Sequence, residues 1–170
     1  MQKQVLYASL MPRIFSTLID VFLVSLVLLP VINFINQKVI ISKFHDLLVA
    51  NDVDLNDMNA IRNALITPEV AKYIHLNDIL YLLAISALVQ TVFLAIYFIF
   101  CWTRYGTTPV KYIMRMKIVS EKDFEKTTII QAIIRFISTI TFPIGVFVYF
   151  FNKQNKMMHD KIAKTLVVKI

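Results

Sequence analysis

Arg13 and Asp20 stand seven residues apart inside an apolar stretch near the amino terminus. Seven residues make close to two helical turns, so the two side chains share one face, about 10 Å apart along the axis. Ser16 and Thr17 lie between them on nearly the same stripe. An ionised carboxylate at that depth in an apolar helix is costly unless it is paired, so Asp20 should face protein or a water-filled cavity. Two later apolar segments carry stripes of their own. Ser86, Gln90 and Tyr97 share one face, and Gln131, Arg135 and Ser138 share another. The economical arrangement turns the stripes toward one another, with Arg135 or Arg13 as the partner of Asp20. Two chemistries fit that picture. One is a buried ion pair that fixes helix register, with hydrogen bonds between the stripes. The other is a proton- or cation-coupled pathway in which Asp20 changes protonation or binds the ion.

Other combinations point to chemistry less well. Gly106 to Lys111 has the spacing of a phosphate-binding loop, but the second glycine is missing and Tyr112 stands where Ser or Thr should follow the lysine. The pairs His45–Asp46 and His159–Asp160 suggest a metal-dependent hydrolase, yet no further ligand cluster accompanies either, and the topology below puts them on opposite sides of a membrane. No metal, cofactor or enzymatic activity is therefore expected. Asp160, beside Lys161, is expected to cap a turn or to pair with a loop arginine such as Arg115. The single cysteine, Cys101, excludes an internal disulfide and reads as a small packing residue.

The elements that would position these groups are set by hydropathy. Apolar residues make up 58% of the 170, charged residues only 17%, and there are two glycines. A soluble chain this small needs more polar surface than that, so the bilayer is its natural solvent. Three apolar segments stand out: residues 14–35, 79–102 and 128–151. About 20 apolar residues cross the hydrocarbon, and the first two segments qualify clearly. The first is too long for a signal peptide, and no small-residue cleavage site follows Pro30, so it should stay as a helix. The net charge of +7 sits between these segments, which points to lipid headgroups and topology rather than to nucleic acid.

Loop charges give the direction. Residues 103–127 hold Arg104, Lys111, Arg115, Lys117, Lys122 and Lys126, whereas residues 36–78 hold four basic against six acidic residues. The first loop is then cytoplasmic and the second is not, which places the amino terminus, with Lys3 and Arg13, in the cytoplasm and Trp102 at the inner interface as an aromatic anchor. A third straight crossing would put Lys153, Lys156, Lys161, Lys164 and Lys169 outside, against the same rule. A break near Pro143 and Gly145 resolves this. Each half of the segment would span roughly 18 Å, too short to cross. A re-entrant or interfacial hairpin is favoured over a third span. Two short β-prone runs, 116–119 and 165–170, would pair on the cytoplasmic side. In the outer segment, residues 57–66 predict a short helix, and Thr67-Pro68-Glu69 predicts an N-cap, a first-turn proline and a helix running into the second span. The fold class is an all-α membrane protein with two full transmembrane helices, a broken third segment and a minor two-strand element. It is one domain over residues 1–170, with 36–78 as a non-cytoplasmic insertion.

The order of these residues resembles the RDD family of bacterial membrane proteins, named for one arginine and two aspartates. Arg13 followed by Asp20 opens the pattern. Gly106-Thr107-Thr108-Pro109-Val110-Lys111 and Arg115-Met116-Lys117-Ile118-Val119 continue it, and Arg135 and the stretch from His159 to Thr165 close it. The matching residues are Arg13, Asp20 and Asp160, with Gln90, Lys111, Arg115, Arg135 and His159 as a supporting polar network. Val110 stands where the family has glycine, and Lys164 where it has a small residue. The resemblance implies a multi-pass protein of the bacterial plasma membrane and suggests a transport or permease component. A pathway built from so few elements would call for a homo-oligomer. The alternative is a structural or assembly subunit that binds another membrane protein.

Overall fold

An apolar run with almost no glycine or proline satisfies its own backbone best as a helix, and the long runs of this chain do so. The computed structural model describes residues 7–139 and 156–169. Helix α1 is Leu10–Ala50, α2 is Met58–Ile66, α3 is Pro68–Ala71 and α4 is Leu76–Arg104. They are followed by α5, Pro109–Ile113, strand β1, Met116–Ser120, helix α6, Ile129–Ser138, helix α7, Met158–Ile162, and strand β2, Thr165–Lys169. Both α1 and α4 are long and apolar enough to cross a bilayer. Only 11% and 0% of their most apolar windows are buried inside the protein, unlike the core helix of a water-soluble fold. The break near Pro143 and Gly145 lies outside the described residues.

Packing divides the chain into two compact units, Ser25–Val92 and the combination of Met1–Val24 with Phe93–Ile170. In the unit Ser25–Val92, α1 continues 15 residues beyond Ile35, where the first apolar segment was expected to end. Ile40, Ile41, Phe44, Leu47 and Leu48 recur at helical spacing, and that stripe packs on Ile61, Ala64, Leu65 and Ile74. The helix is kinked at Phe44, whose φ of −117° and ψ of 19° leave the helical region. The short helix expected over residues 57–66 forms as α2, with Asp57 as its N-cap, accepting a hydrogen bond from the Asn59 amide at 2.8 Å. Pro68 does begin a helix, but that helix is a single turn and does not run into α4. Leu76 starts α4 separately, after the Asp78 carboxylate has accepted from the His75 amide. The acid in the first turn thus belongs to a new helix start.

In the other unit the expected strand pair forms. β1 and β2 are antiparallel, with Met116 opposite Lys169 and Ser120 opposite Thr165, and Tyr7 bridges to Val168 on the far edge. Ile170 lies outside the described residues. The core under the sheet is Ala8, Phe98, Trp102, Met116, Ile118, Ala132 and Val167. Trp102, expected as an interfacial anchor, is instead 6% exposed in this core, because its ring is needed under the sheet. Gly106, at φ +70°, brings its carbonyl to the Ile118 amide at 2.6 Å. A Cβ there would sit 3.2 Å from the Ile118 carbonyl oxygen, so the glycine is required by contact as well as by conformation.

Each strand is entered the same way. α5 ends, Arg115 takes φ 54°, and β1 begins; α7 ends, Lys164 takes φ 51°, and β2 begins. A left-handed conformation costs a non-glycine residue roughly 1–2 kcal/mol. Lys164 is exposed, so its side chain offers little packing in return. Lys164→Gly is therefore expected to stabilise the fold by roughly 0.5–1 kcal/mol, read as a higher thermal midpoint in detergent. Val110→Gly should do the opposite, because Val110 is buried inside α5.

Candidate functional site

The first turns of α1 place Arg13 and Asp20 on one side of the helix, and both are almost fully buried. They are satisfied by different partners. Asp160, in the first turn of α7, receives Arg13: Nη1 lies 2.9 Å from its Oδ2. Arg135, in the last turns of α6, receives the other oxygen, with Nη2 2.6 Å from Oδ1. Both guanidiniums are also held by β2, Arg13 donating to the Val167 carbonyl at 3.0 Å and Arg135 to the Thr165 hydroxyl at 2.7 Å. The Met157 amide donates to Asp160 Oδ2 at 3.3 Å, so the carboxylate also caps its own helix. Burial alone would raise the Asp160 pKa. The Arg135 guanidinium, with His159 and Arg13, outweighs it and holds the group below the usual carboxylate range. His159 sits against the same carboxylate, Nε2 to Oδ1 3.4 Å. Burial pushes its imidazole down to about 4, and the surrounding cations add to the shift against the pull of Asp160.

Asp20 takes a second set of partners. The Tyr97 hydroxyl of α4 donates to Oδ1 at 3.1 Å, and the Thr108 hydroxyl donates to Oδ2. Thr108 is the N-cap of α5, and Pro109 follows it at the first helical position, the usual way to start a short helix. One turn on, Lys111 Nζ lies 3.6 Å from Asp20 Oδ2 and donates to the Thr17 hydroxyl at 2.9 Å. Thr17 in turn donates to the Arg13 carbonyl at 2.9 Å. Burial drives the Lys111 pKa down to about 8 against the opposing pull of Asp20.

The expected pairing is thus corrected: neither Arg13 nor Arg135 is the partner of Asp20. Both arginines go to Asp160, because the strand pairing brings α7 and its aspartate over α1 and α6. Asp160 does cap its turn, as expected, but its arginine is not Arg115, which is exposed and has no ion pair among the described residues. The stripes on α1 and α4 do meet. Ser86 donates to Asn36 at 2.8 Å and Gln90 to Ser25 at 2.7 Å, within the unit Ser25–Val92. On α6, Gln131 serves as the capping-box partner of Thr128 rather than as part of the cluster. His45 makes only an exposed local contact with Asp46. Sequence reasoning named Lys111 and Tyr97 without joining either to Asp20, and it missed Thr108 as a carboxylate donor. The Thr108–Pro109 helix start was the signal that could have placed both Thr108 and Lys111.

The chain matches the model of the RDD family over residues 7–164. It is similar to an uncharacterised protein of Rickettsia prowazekii (strain Madrid E), at 35% identity over 99% of both chains. No solved structure matches it. The one arginine and two aspartates of the family pattern are all buried here, the arginine in contact with one aspartate and joined through Thr17 and Lys111 to the other, and the chain belongs to the RDD family.

Proposed function

We propose that this chain is a multi-pass protein of the bacterial plasma membrane that works as a small transport component, with the buried Arg/Asp cluster as its working centre. The observation that carries the reading is the cluster itself. Five ionisable groups, Arg13, Asp20, Lys111, Arg135 and Asp160, lie buried on four helices at the ends of two candidate spans. A structural contact of that size is made more cheaply from apolar residues, and charges at membrane depth are retained for function. The amino terminus is read as cytoplasmic from the basic loop between Arg104 and Lys126. The β1–β2 pairing supports a third segment that enters and returns, since a single crossing between the strands would separate them. α6 fits that reading. It is roughly 15 Å long and exposes Ile129, Ile130, Ile133, Ile134 and Ile137 while burying Arg135 and Ser138. A homo-oligomer supplies the room that so few membrane elements lack.

The alternative is an assembly subunit, favoured by the complete engagement of both carboxylates, which resembles a lock. Liposomes containing the purified protein, loaded with pH- and potential-sensitive dyes and challenged with a panel of ions and small solutes, separate the two. The transport reading expects at least one gradient to dissipate, and Asp20→Asn to stay folded while slowing it roughly tenfold or more. A protein that dissipates none, and whose association follows its exposed apolar faces instead of Asp20, belongs to the assembly reading.

A further inference from the structure

The buried cluster is one negative charge short. Arg13, Arg135 and Lys111 contribute three cations, each about 5% exposed, and Asp20 and Asp160 contribute two carboxylates. All eleven side-chain carboxylates of the chain lie among the described residues, so no other Asp or Glu is left to approach from elsewhere. Glu121 is paired with Lys156, and Asp123 and Glu125 are exposed on the loop after β1. Burying an uncompensated unit charge is among the most costly things a fold can do. His159 does not add to the excess, since its imidazole is held neutral. Lys111 is placed as a cation, its Nζ 3.6 Å from the Asp20 carboxylate and donating to the Thr17 hydroxyl, contacts that favour the charged form.

A second observation points the same way. Trp102 Nε1 is buried and finds no acceptor among the described residues. An indole N–H can only donate, so it calls for an electron-rich partner and not for a cation. The Trp102 ring lies beside the excess charge, with the Arg135 guanidinium carbon 5.3 Å from its centroid. Arg135, whose guanidinium already reaches Asp160 and Thr165, lies over the face of that ring and so links the ion-pair cluster to Trp102.

We propose that the cluster binds one small monovalent inorganic anion of the halide class, held beside Arg135 and the Trp102 indole N–H. The charge deficit is one, which sets the valence. The enclosing residues are almost fully buried, which favours a compact ion over a phosphate-bearing headgroup. The anion completes the electrostatics of the site and is independent of whether anything crosses the membrane.

Trp102 is the only tryptophan of the chain, which makes the site its own reporter. The full chain in detergent at pH 7 is titrated with bromide, a contact quencher of indole, with gluconate holding the ionic strength constant. The expected result is saturable quenching that chloride competes away. Lys111→Met brings the charge count to zero and should raise the half-saturating concentration about tenfold or more. Asp20→Asn combined with Lys111→Met restores the count to one and should return it to within about threefold of the wild type. Quenching that rises linearly without saturating overturns the proposal. So does saturation that survives unchanged in Lys111→Met, or that is missing from the double variant. If Lys111→Met fails to fold, the double variant alone decides the matter.

Discussion

Asp160→Ala is expected to cost about 3–5 kcal/mol, enough to unfold a domain of ordinary stability. The carboxylate is the shared counter-charge of Arg13 and Arg135, and both guanidiniums stay buried when it is removed. Arg13 keeps the Val167 carbonyl and Arg135 the Thr165 hydroxyl, neutral acceptors that do not compensate a full charge. The cap on the Met157 amide goes as well. Asp160→Asn separates the two contributions: it keeps an acceptor for that amide and loses only the charge. Near-UV circular dichroism during thermal unfolding in detergent reads both variants, with Asp160→Asn the milder. Replacing all three charges together, by Arg13→Met, Arg135→Met and Asp160→Leu, should recover much of the loss, because a buried triad is often no more stable than apolar side chains of its size. An Asp160→Ala protein that melts like the wild type would mean that these ion pairs contribute nothing net.

The same cluster shows how far the sequence could be read. The polar stripes were legible because helical spacing alone puts Ser86, Gln90 and Tyr97 on one face, and each of them does reach α1. The strands were legible as β-prone runs, and their pairing followed from unmet backbone hydrogen bonds. Which cation meets which carboxylate was not legible. Arg13 and Asp20 are neighbours on α1, and any cation elsewhere in the chain fits either list of candidates. The choice is made by two helix-to-strand units of matching form. Lys111 stands four residues before the left-handed Arg115, and Asp160 stands four residues before the left-handed Lys164. Paired strands then bring these equivalent positions to the two charges of α1, the lysine to Asp20 and the aspartate to Arg13. Sequence separations of 147 and about 90 residues are joined only by that register, and local propensity carries no information about it. The extension of α1 beyond Ile35 was legible in principle. Its apolar stripe from Ile40 to Leu48 is plain, but the charges around it read as a loop.

Mild acid should loosen the cluster through His159 before the Asp160 carboxylate titrates. The imidazole is held down to about 4 in the fold, against an ordinary value of 6.5. Between those limits the unfolded chain takes up a proton that the folded chain refuses, so stability falls as the pH drops through this window. Above it His159 is neutral in both states and contributes no pH dependence. A shift of that size corresponds to about 3 kcal/mol at the lower limit. The carboxylate of Asp160 acts in the next window down. Its folded pKa is depressed, so its stabilisation is present above the ordinary carboxylate value and is lost as the pH falls through the lowered one. His159→Gln keeps an amide donor toward Asp160 but cannot titrate. Its thermal midpoint should therefore stay nearly flat from pH 6.5 to 4 and then fall with the carboxylate. A wild-type slope persisting in His159→Gln would assign the acid sensitivity to other groups and leave His159 a packing residue. A flat profile means that the imidazole must stay neutral for Arg13 and Arg135 to share Asp160, because a fourth buried cation has no carboxylate left to meet.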